Sequence, residues 1–441
     1  MNPPVSLADA ARTIFADALA ACSVEQAFRS KFDAAGLTKA IELCDRVLVI
    51  AAGKGASPML NGLLRAVPIA VTCRLSGVLI APERPALLPD GIEFFAGGHP
   101  LPNAQSFAAA EAALALVQRA VADDGAARAF CFFLISGGAS AMMELPLDPA
   151  ISLEDTIALY RALVHSGASI AEINCVRKHF SAVKGGRLGQ LAAAIPNLTV
   201  LVSDVPSRQL DALASGPTLP DKSTLADCHR ILERYRLLEQ FPACVRRFFE
   251  SPSLPETPKP GAFPANVVTL LCADDLAEAA RRRAESLGFT AIVDNGCDDW
   301  DYRAAADHLL ARMRTLRQQH QRLCLISAGE VTVRLPPEIA ERKPRGGRNQ
   351  HFALYAATRL EPSDRPIAIF SAGSDGIDGN SPFAGAVLDY DGLHASNATL
   401  AAAHEALAHF DSSTLLEHIG ATVGTGPTGN NLRDLRLLLC E

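Results

Sequence analysis

Short runs rich in β-branched and aromatic residues recur at 46–51, 77–80, 130–135 and 198–202, separated by Ala- and Leu-rich stretches of helical spacing such as 104–121. Apolar runs of strand length alternating with helices predict βαβ units and a parallel sheet. Residues 251–264 then carry five prolines (Pro252, Pro255, Pro258, Pro260, Pro264) and Gly261. Neither a helix interior nor a central strand tolerates that density, so this stretch is expected to be a linker. Beyond it the alternation resumes, with a strand at 267–272, helices at 274–287 and 301–319, and strands at 323–327 and 331–335. The expected fold is α/β in two domains, a larger one over 1–250 with a mainly parallel sheet and a smaller one over 265–441.

Composition narrows the function. A chain of 441 residues, 49% hydrophobic and 20% charged, is globular and long enough for two or three domains, hence for a ligand-holding cleft. Forty-one basic against 48 acidic residues give a net charge of −7 with no long run of one sign, which argues against nucleic acid as the main partner. Eleven cysteines, odd in number, scattered from Cys22 to Cys440 and without Cys-x-x-Cys spacing, read as reduced thiols in a cytoplasmic protein. The opening segment places Asp9 before Arg12 and has helical spacing, unlike a signal peptide. No apolar run approaches the roughly 20 residues that span a bilayer, so no membrane partner is expected.

Candidate chemistry gathers where strands end in glycine. After the first strand come Gly53-Lys54-Gly55, a lysine opening a helix whose N-terminus already favours anions; a tight turn with a solvated lysine is the plainer alternative. This is not a Walker A loop, since Leu48 stands where the first glycine should be. The strand at 130–135 runs into Ser136-Gly137-Gly138, small residues able to close backbone N–H groups around a phosphate. Arg177, Lys178, Lys184 and Arg187 surround Gly185-Gly186, as a binding patch or a solvated helix face. Asp204 follows a further strand, placed to hold Mg²⁺, accept a proton or cap a turn. In the second half, Arg345 and Arg348 flank paired glycines, which suits bidentate recognition of carboxylate or phosphate, and Glu330, Asp375 and Asp378 are candidate metal ligands. Gly424, Gly426 and Gly429 match the dinucleotide fingerprint, but the 12 residues after them are too few for a crossover helix and second strand.

Taken in order, AAGKGAS (51–57), GGHPLPN (97–103), LISGGASA (134–141), INCVRKHFSAVKGGRL (173–188), SDV (203–205), ASGPTLPD (214–221), AGEVTV (328–333), RGGRNQ (345–350), SAGSDGIDG (371–379) and TGPTGNNLRDL (425–435) span nearly the whole chain. They resemble the MOFRL-type glycerate kinases, the ATP-dependent glycerate 2-kinases. The resemblance implies a Rossmann-like N-terminal domain, a smaller MOFRL-type C-terminal domain, an active site between them, and transfer of phosphoryl from ATP to the 2-hydroxyl of D-glycerate with Mg²⁺. It implies catalytic roles for Lys54 and Arg348; the residues read above add Asp204 as a further catalytic candidate, Ser136, Gly137, Gly138, Lys184, Gly185 and Gly186 as candidate phosphate or nucleotide contacts, and Arg345, Arg348 and Asn174 as candidate substrate contacts. Asp204, Asp375 and Glu330 are the candidate metal ligands, and a homodimer is a further expectation. The chain departs from the family pattern at Arg208, where an acid is usual, at His351, where Glu is common, and at Val331, where Thr is common. An NAD(P)H-dependent hydroxypyruvate reductase and a non-catalytic sugar-acid binding protein are the alternatives.

Overall fold

The computed structural model describes residues 6–32, 34–42, 44–67, 74–122, 128–394 and 396–441; the first five residues of the opening segment lie outside it. The chain divides into two compact units, Val24–Leu270 and, discontinuously, Met1–Ser23 with Leu271–Glu441.

In the first unit, β1 (Arg46–Ala52), β2 (Leu75–Ala81), β3 (Ile92–Ala96), β4 (Ala129–Ser136), β5 (Asn197–Val202) and β6 (Val267–Leu271) form one sheet in the order β3-β2-β1-β4-β5-β6. The β1–β2, β2–β3, β1–β4 and β4–β5 pairings are parallel. β4 is buried along its whole length, as a strand covered on both faces must be, which is why it reads as an unbroken apolar run. The order runs outward from β1 in one direction and from β4 in the other, so the connections reverse between these two strands. Their carboxyl ends form the topological switch point where open α/β sheets of this order bind ligands.

In the second unit, β7 (Thr290–Val293), β8 (Leu323–Gly329), β9 (Ile367–Gly373), β10 (Gly385–Asp389), β11 (Thr422–Val423) and β12 (Asp434–Cys440) follow the order β11-β10-β9-β12-β8-β7. β7–β8 is parallel, whereas β12 lies antiparallel to both β8 and β9, so the sheet is mixed. That register sets Asp434, the first residue of β12, opposite Gly329 and Gly373, the last residues of β8 and β9.

Four expectations need correction. The Pro-rich stretch is not a linker: Leu254 and Phe263 are buried, Glu256 bonds His179 at 2.9 Å, and Thr257 donates to the buried Asp221 at 2.9 Å. β6, expected to open the second domain, is instead an edge of the first sheet, so the boundary falls after residue 270 rather than between 250 and 265. The N-terminal helix Leu7–Ala21 belongs to the second unit, where Phe15 meets Phe370 with ring centroids 5.1 Å apart. Finally, 331–335 forms no strand; Thr332 makes only an isolated bridge to Asp301, because both flanks of β8 are occupied by β7 and β12.

Candidate active site

The switch point of the first sheet brings Lys54, Ser136, Gly137, Gly138 and Asp204 together. Gly53 leaves β1 with φ +118°, and a side chain there would overlap Ser136, so the turn needs glycine. Two cross-links lock the β1 and β4 turns: Lys54 N–H donates to the Gly137 carbonyl at 2.9 Å and Gly55 N–H to Ser136 Oγ at 2.9 Å. Gly138, at φ +86°, opens the four-residue helix Ala139–Met142, which has no side-chain cap. A Cβ on Gly138 would come within 3.2 Å of Lys54 Cγ, and one on Gly137 would overlap the Asp204 carboxylate. The lysine stem and Asp204 therefore flank the same Gly-Gly turn, and Lys54 is exposed.

Positive charge accumulates here. Partial burial, then Lys54 and Arg177, hold the His99 imidazole below its ordinary range. Arg177 lies 4.1 Å over the Tyr160 ring. Behind the turn, Ser140 Oγ meets Ser215 Oγ at 2.9 Å, and Ser215 donates to Asn174 Oδ1 at 3.0 Å. Asn174 is thus built into a buried relay of hydroxyls beneath the nest.

Lys184, Gly185 and Gly186 stand differently. The Lys184 ammonium is fully buried against Glu144 at 2.6 Å, and Glu144 is also gripped by Tyr160. The Gly185 and Gly186 amides are spent on the carbonyls of Ser215 (3.0 Å) and Gly216 (2.7 Å). This geometry gives the block a scaffolding role and leaves it no open donor for the expected phosphate.

The second unit gathers its own charged cluster where β8, β9 and β12 meet. Arg348 begins the helix Arg348–Thr358 and grips Asp434 with Nε (2.6 Å) and Nη2 (3.0 Å), while Nη2 also reaches Glu330 at 2.7 Å. Among the described residues Nη1 has no hydrogen-bond partner. Burial opposes the guanidinium charge, but Asp434 and Glu330 overcome it and raise the Arg348 pKa; Asp434, although fully buried, is held below its ordinary value by Arg348. Asp378 accepts the Asn349 (3.0 Å) and Gln350 (2.8 Å) amides at the helix start, yet burial pushes its pKa up to about 7. Arg345 is exposed and paired with Glu417 at 2.7 Å. A Cβ on Gly373 would meet both Asp375 Oδ1, at 3.1 Å, and Asp434 Oδ1, at 3.4 Å. Beside Arg348 lies a cavity of about 390 Å³, lined also by Val331, Val333, Leu335, His351 and Phe410.

Among the described residues no three His, Cys, Asp or Glu side chains are grouped so as to hold a metal. Glu330 already bonds Arg348. Mg²⁺ commonly takes one or two carboxylates and completes its shell with phosphate and water, and the Asp204 carboxylate beside the Gly-Gly turn is of the type that would hold it.

Family models match at both ends of the chain: a domain of unknown function (DUF4147) over residues 10–250 and the MOFRL family over 323–434. A D-glycerate 2-kinase of Thermotoga maritima is 34% identical over 398 residues, covering 89% of this chain and 90% of that one. The solved structure of a Thermotoga maritima glycerate kinase superposes with a TM-score of 0.82 at 31% identity over 99% of both chains. The chain belongs to the MOFRL glycerate 2-kinase family. A glycerate 2-kinase of Pyrococcus horikoshii is 32% identical over 90% of this chain and 88% of its own. A protein of Agrobacterium vitis, 34% identical over 89% of this chain and 87% of its own, carries the name putative hydroxypyruvate reductase.

In this MOFRL kinase fold, the structure brings together the sequence candidates Lys54, Ser136–Gly138 and Asp204 in the first unit and Glu330 and Arg348 in the second, whereas Asp434, the partner that fixes Arg348, was not among the candidates. Asp434 was within sight, in the Arg433-Asp434 pair just before the apolar run 435–440. The short tail that excluded a crossover helix after Gly429 still sufficed for an antiparallel strand. Arg208, the unusual base after the SDV block, is exposed in the turn Ser207–Ser215.

Proposed function

We propose that the chain transfers the γ-phosphoryl group of ATP to the 2-hydroxyl of D-glycerate, giving 2-phosphoglycerate and ADP. The observation that carries this is the switch-point constellation, an exposed lysine and a carboxylate flanking a Gly-Gly turn at a helix start, in a chain of this family. Phosphoryl transfer is largely positioning and charge neutralisation, and these parts supply both. The Ser136–Gly138 turn receives phosphate oxygens, and Lys54 neutralises the transferring group. Asp204 takes the hydroxyl proton, or would hold Mg²⁺, which would supply further charge neutralisation. Asp434 and Glu330 fix Arg348 so that Nη1 faces an anionic group of a substrate. The enzyme acts on free small molecules, in the cytoplasm.

The reductase reading, favoured by the names of the Agrobacterium relatives, meets a structural obstacle. The fingerprint at Gly424, Gly426 and Gly429 leads directly into β12, so no helix N-terminus awaits a pyrophosphate there. ADP formation measured with D-glycerate, ATP and Mg²⁺, beside NADH and NADPH oxidation with hydroxypyruvate, separates the two. Kinase turnover alone is expected; reductase turnover without ADP formation contradicts the proposal.

A further inference from the structure

We propose that Arg177 grips the carboxylate of the acceptor, a specificity contact that rests on the glycerate kinase reading and adds the acid-recognising residue to it. The four basic residues of 177–187 part company in the structure. Lys178 pairs with Asp211 at 3.1 Å and with Asp221 at 3.0 Å, Lys184 pairs with Glu144 at 2.6 Å, and Arg187 donates to the Pro255 carbonyl at 3.1 Å. Arg177, half-buried, is the one of the four that makes neither a hydrogen bond nor an ion pair among the described residues. Its Nε is sealed from solvent without a partner, whereas Nη1 and Nη2, equally unpartnered, keep accessible surface.

The surrounding contacts bring that guanidinium to the Gly137-Gly138 turn. It lies 4.1 Å over the Tyr160 ring, and the Tyr160 hydroxyl donates at 3.1 Å to the carbonyl of Ser140, two residues past Gly138. Asn174, three residues before Arg177 on the same face of the helix Ile170–Phe180, accepts from Ser215, whose Oγ meets that of Ser140 at 2.9 Å. A Cβ on Gly138 would lie 3.6 Å from His99 Nδ1 as well as 3.2 Å from Lys54 Cγ. Besides burial, the charges that lower the His99 pKa are those of Lys54 and Arg177, so both cations stand near this ring. Every one of these residues belongs to the first unit.

Charge and shape then select the ligand. Glu144 is already held by Lys184 and Tyr160, so a partly buried positive charge stands without a counter-charge, a cost that a bound anion removes. The two accessible Nη nitrogens form a planar fork that matches an oxyanion in bidentate fashion. Stacking on Tyr160 fixes the fork before the ligand arrives, which lowers the entropy lost on binding. In glycerate the carboxylate and the 2-hydroxyl stand on adjacent carbons. The cation that holds the acid must therefore stand close to the one that neutralises the transferring phosphoryl group, as Arg177 and Lys54 do around His99. A phosphate of the nucleotide offers the fork the same oxyanion chemistry, and the ATP arm of the test below separates that source from the acceptor.

D-Glycerate binding to the full chain is measured by calorimetry with a non-hydrolysable ATP analogue and Mg²⁺ present, beside the KM values for D-glycerate and ATP. The proteins are wild type, Arg177→Gln, which removes the charge, and Arg177→Lys, which keeps a charge over Tyr160 but not the fork. In Arg177→Gln, glycerate affinity should fall by about tenfold to a hundredfold, the scale of one hydrogen bond to a charged group, with glycerate KM rising in parallel and ATP KM within twofold. Arg177→Lys should lose several-fold in glycerate affinity, again at constant ATP KM. Thermal melting identifies an Arg177→Gln protein that fails to fold, in which case Arg177→Lys decides. Unchanged glycerate affinity in the folded variants, or a rise in ATP KM instead of glycerate KM, would overturn the assignment, the second outcome placing a phosphate on the fork. Glycerate binding that depends on Arg177 in a chain that forms no ADP would keep the carboxylate contact and reject the proposed transfer. Glycerate turnover with the same glycerate KM in all three proteins would keep the transfer and reject the contact.

Discussion

At the residue scale, Lys54 and Lys184 show how environment separates two lysines with similar sequence settings. Both adjoin glycines, but Lys54 is exposed beside an uncapped helix start, whereas Lys184 is sealed against Glu144. Lys54→Ala should lower kcat by about 10²-fold or more, the scale for losing one preorganised electrostatic contact, with little change in melting temperature. Near-normal turnover would return Lys54 to the role of a solvated turn residue. Lys184→Met should do the reverse. It strands a buried carboxylate, an effect of about 3–5 kcal/mol, so the melting temperature should fall sharply while the folded fraction keeps its ATP KM. A raised ATP KM at unchanged stability would restore Lys184 to phosphate binding. His351 adds a pH signature. Its folded pKa of about 4 lies below the ordinary 6.5, so its contribution to stability is complete above about pH 6.5 and is lost as pH falls from there towards 4. Melting curves across that window should be flatter for His351→Phe than for wild type; parallel curves would show that the imidazole is not held neutral.

At the element scale, most of the first sheet was legible. The expected strands at 46–51, 130–135 and 198–202 fall within β1, β4 and β5, because buried parallel strands must be continuously apolar. The errors share a cause: pattern reports what a segment is made of, not what lies beside it. Residues 331–335 alternate like a strand but find both flanks of β8 occupied. The prolines at 251–264 forbid helix and strand, yet do not prevent Glu256 and Thr257 from bonding His179 and Asp221. The helix Leu7–Ala21 has the right period and no local sign of the distant chain it packs on. β12 was hidden because its apolar run follows a glycine motif that suggested a different context.

At the scale of the whole molecule, the functional side chains come from strand ends that only topology can gather. Lys54 and Ser136 are 82 residues apart in sequence, yet meet because β1 and β4 are neighbours at the point where the winding reverses. Arg348 and Asp434 meet because β12 runs antiparallel and starts where β8 and β9 end. The glycine-flanked residues were visible in the sequence as candidates, but their pairings were not, since pairing depends on strand order. The relatives and the switch-point geometry converge on phosphoryl transfer to glycerate, and the position phosphorylated is the sharpest statement of that claim. Phosphorus NMR of the product from D-glycerate, ATP and Mg²⁺ reads it directly. A new resonance that coincides with added 2-phosphoglycerate is the predicted result. A 3-phosphoglycerate resonance, or no glycerate phosphate while the protein remains folded, would contradict it.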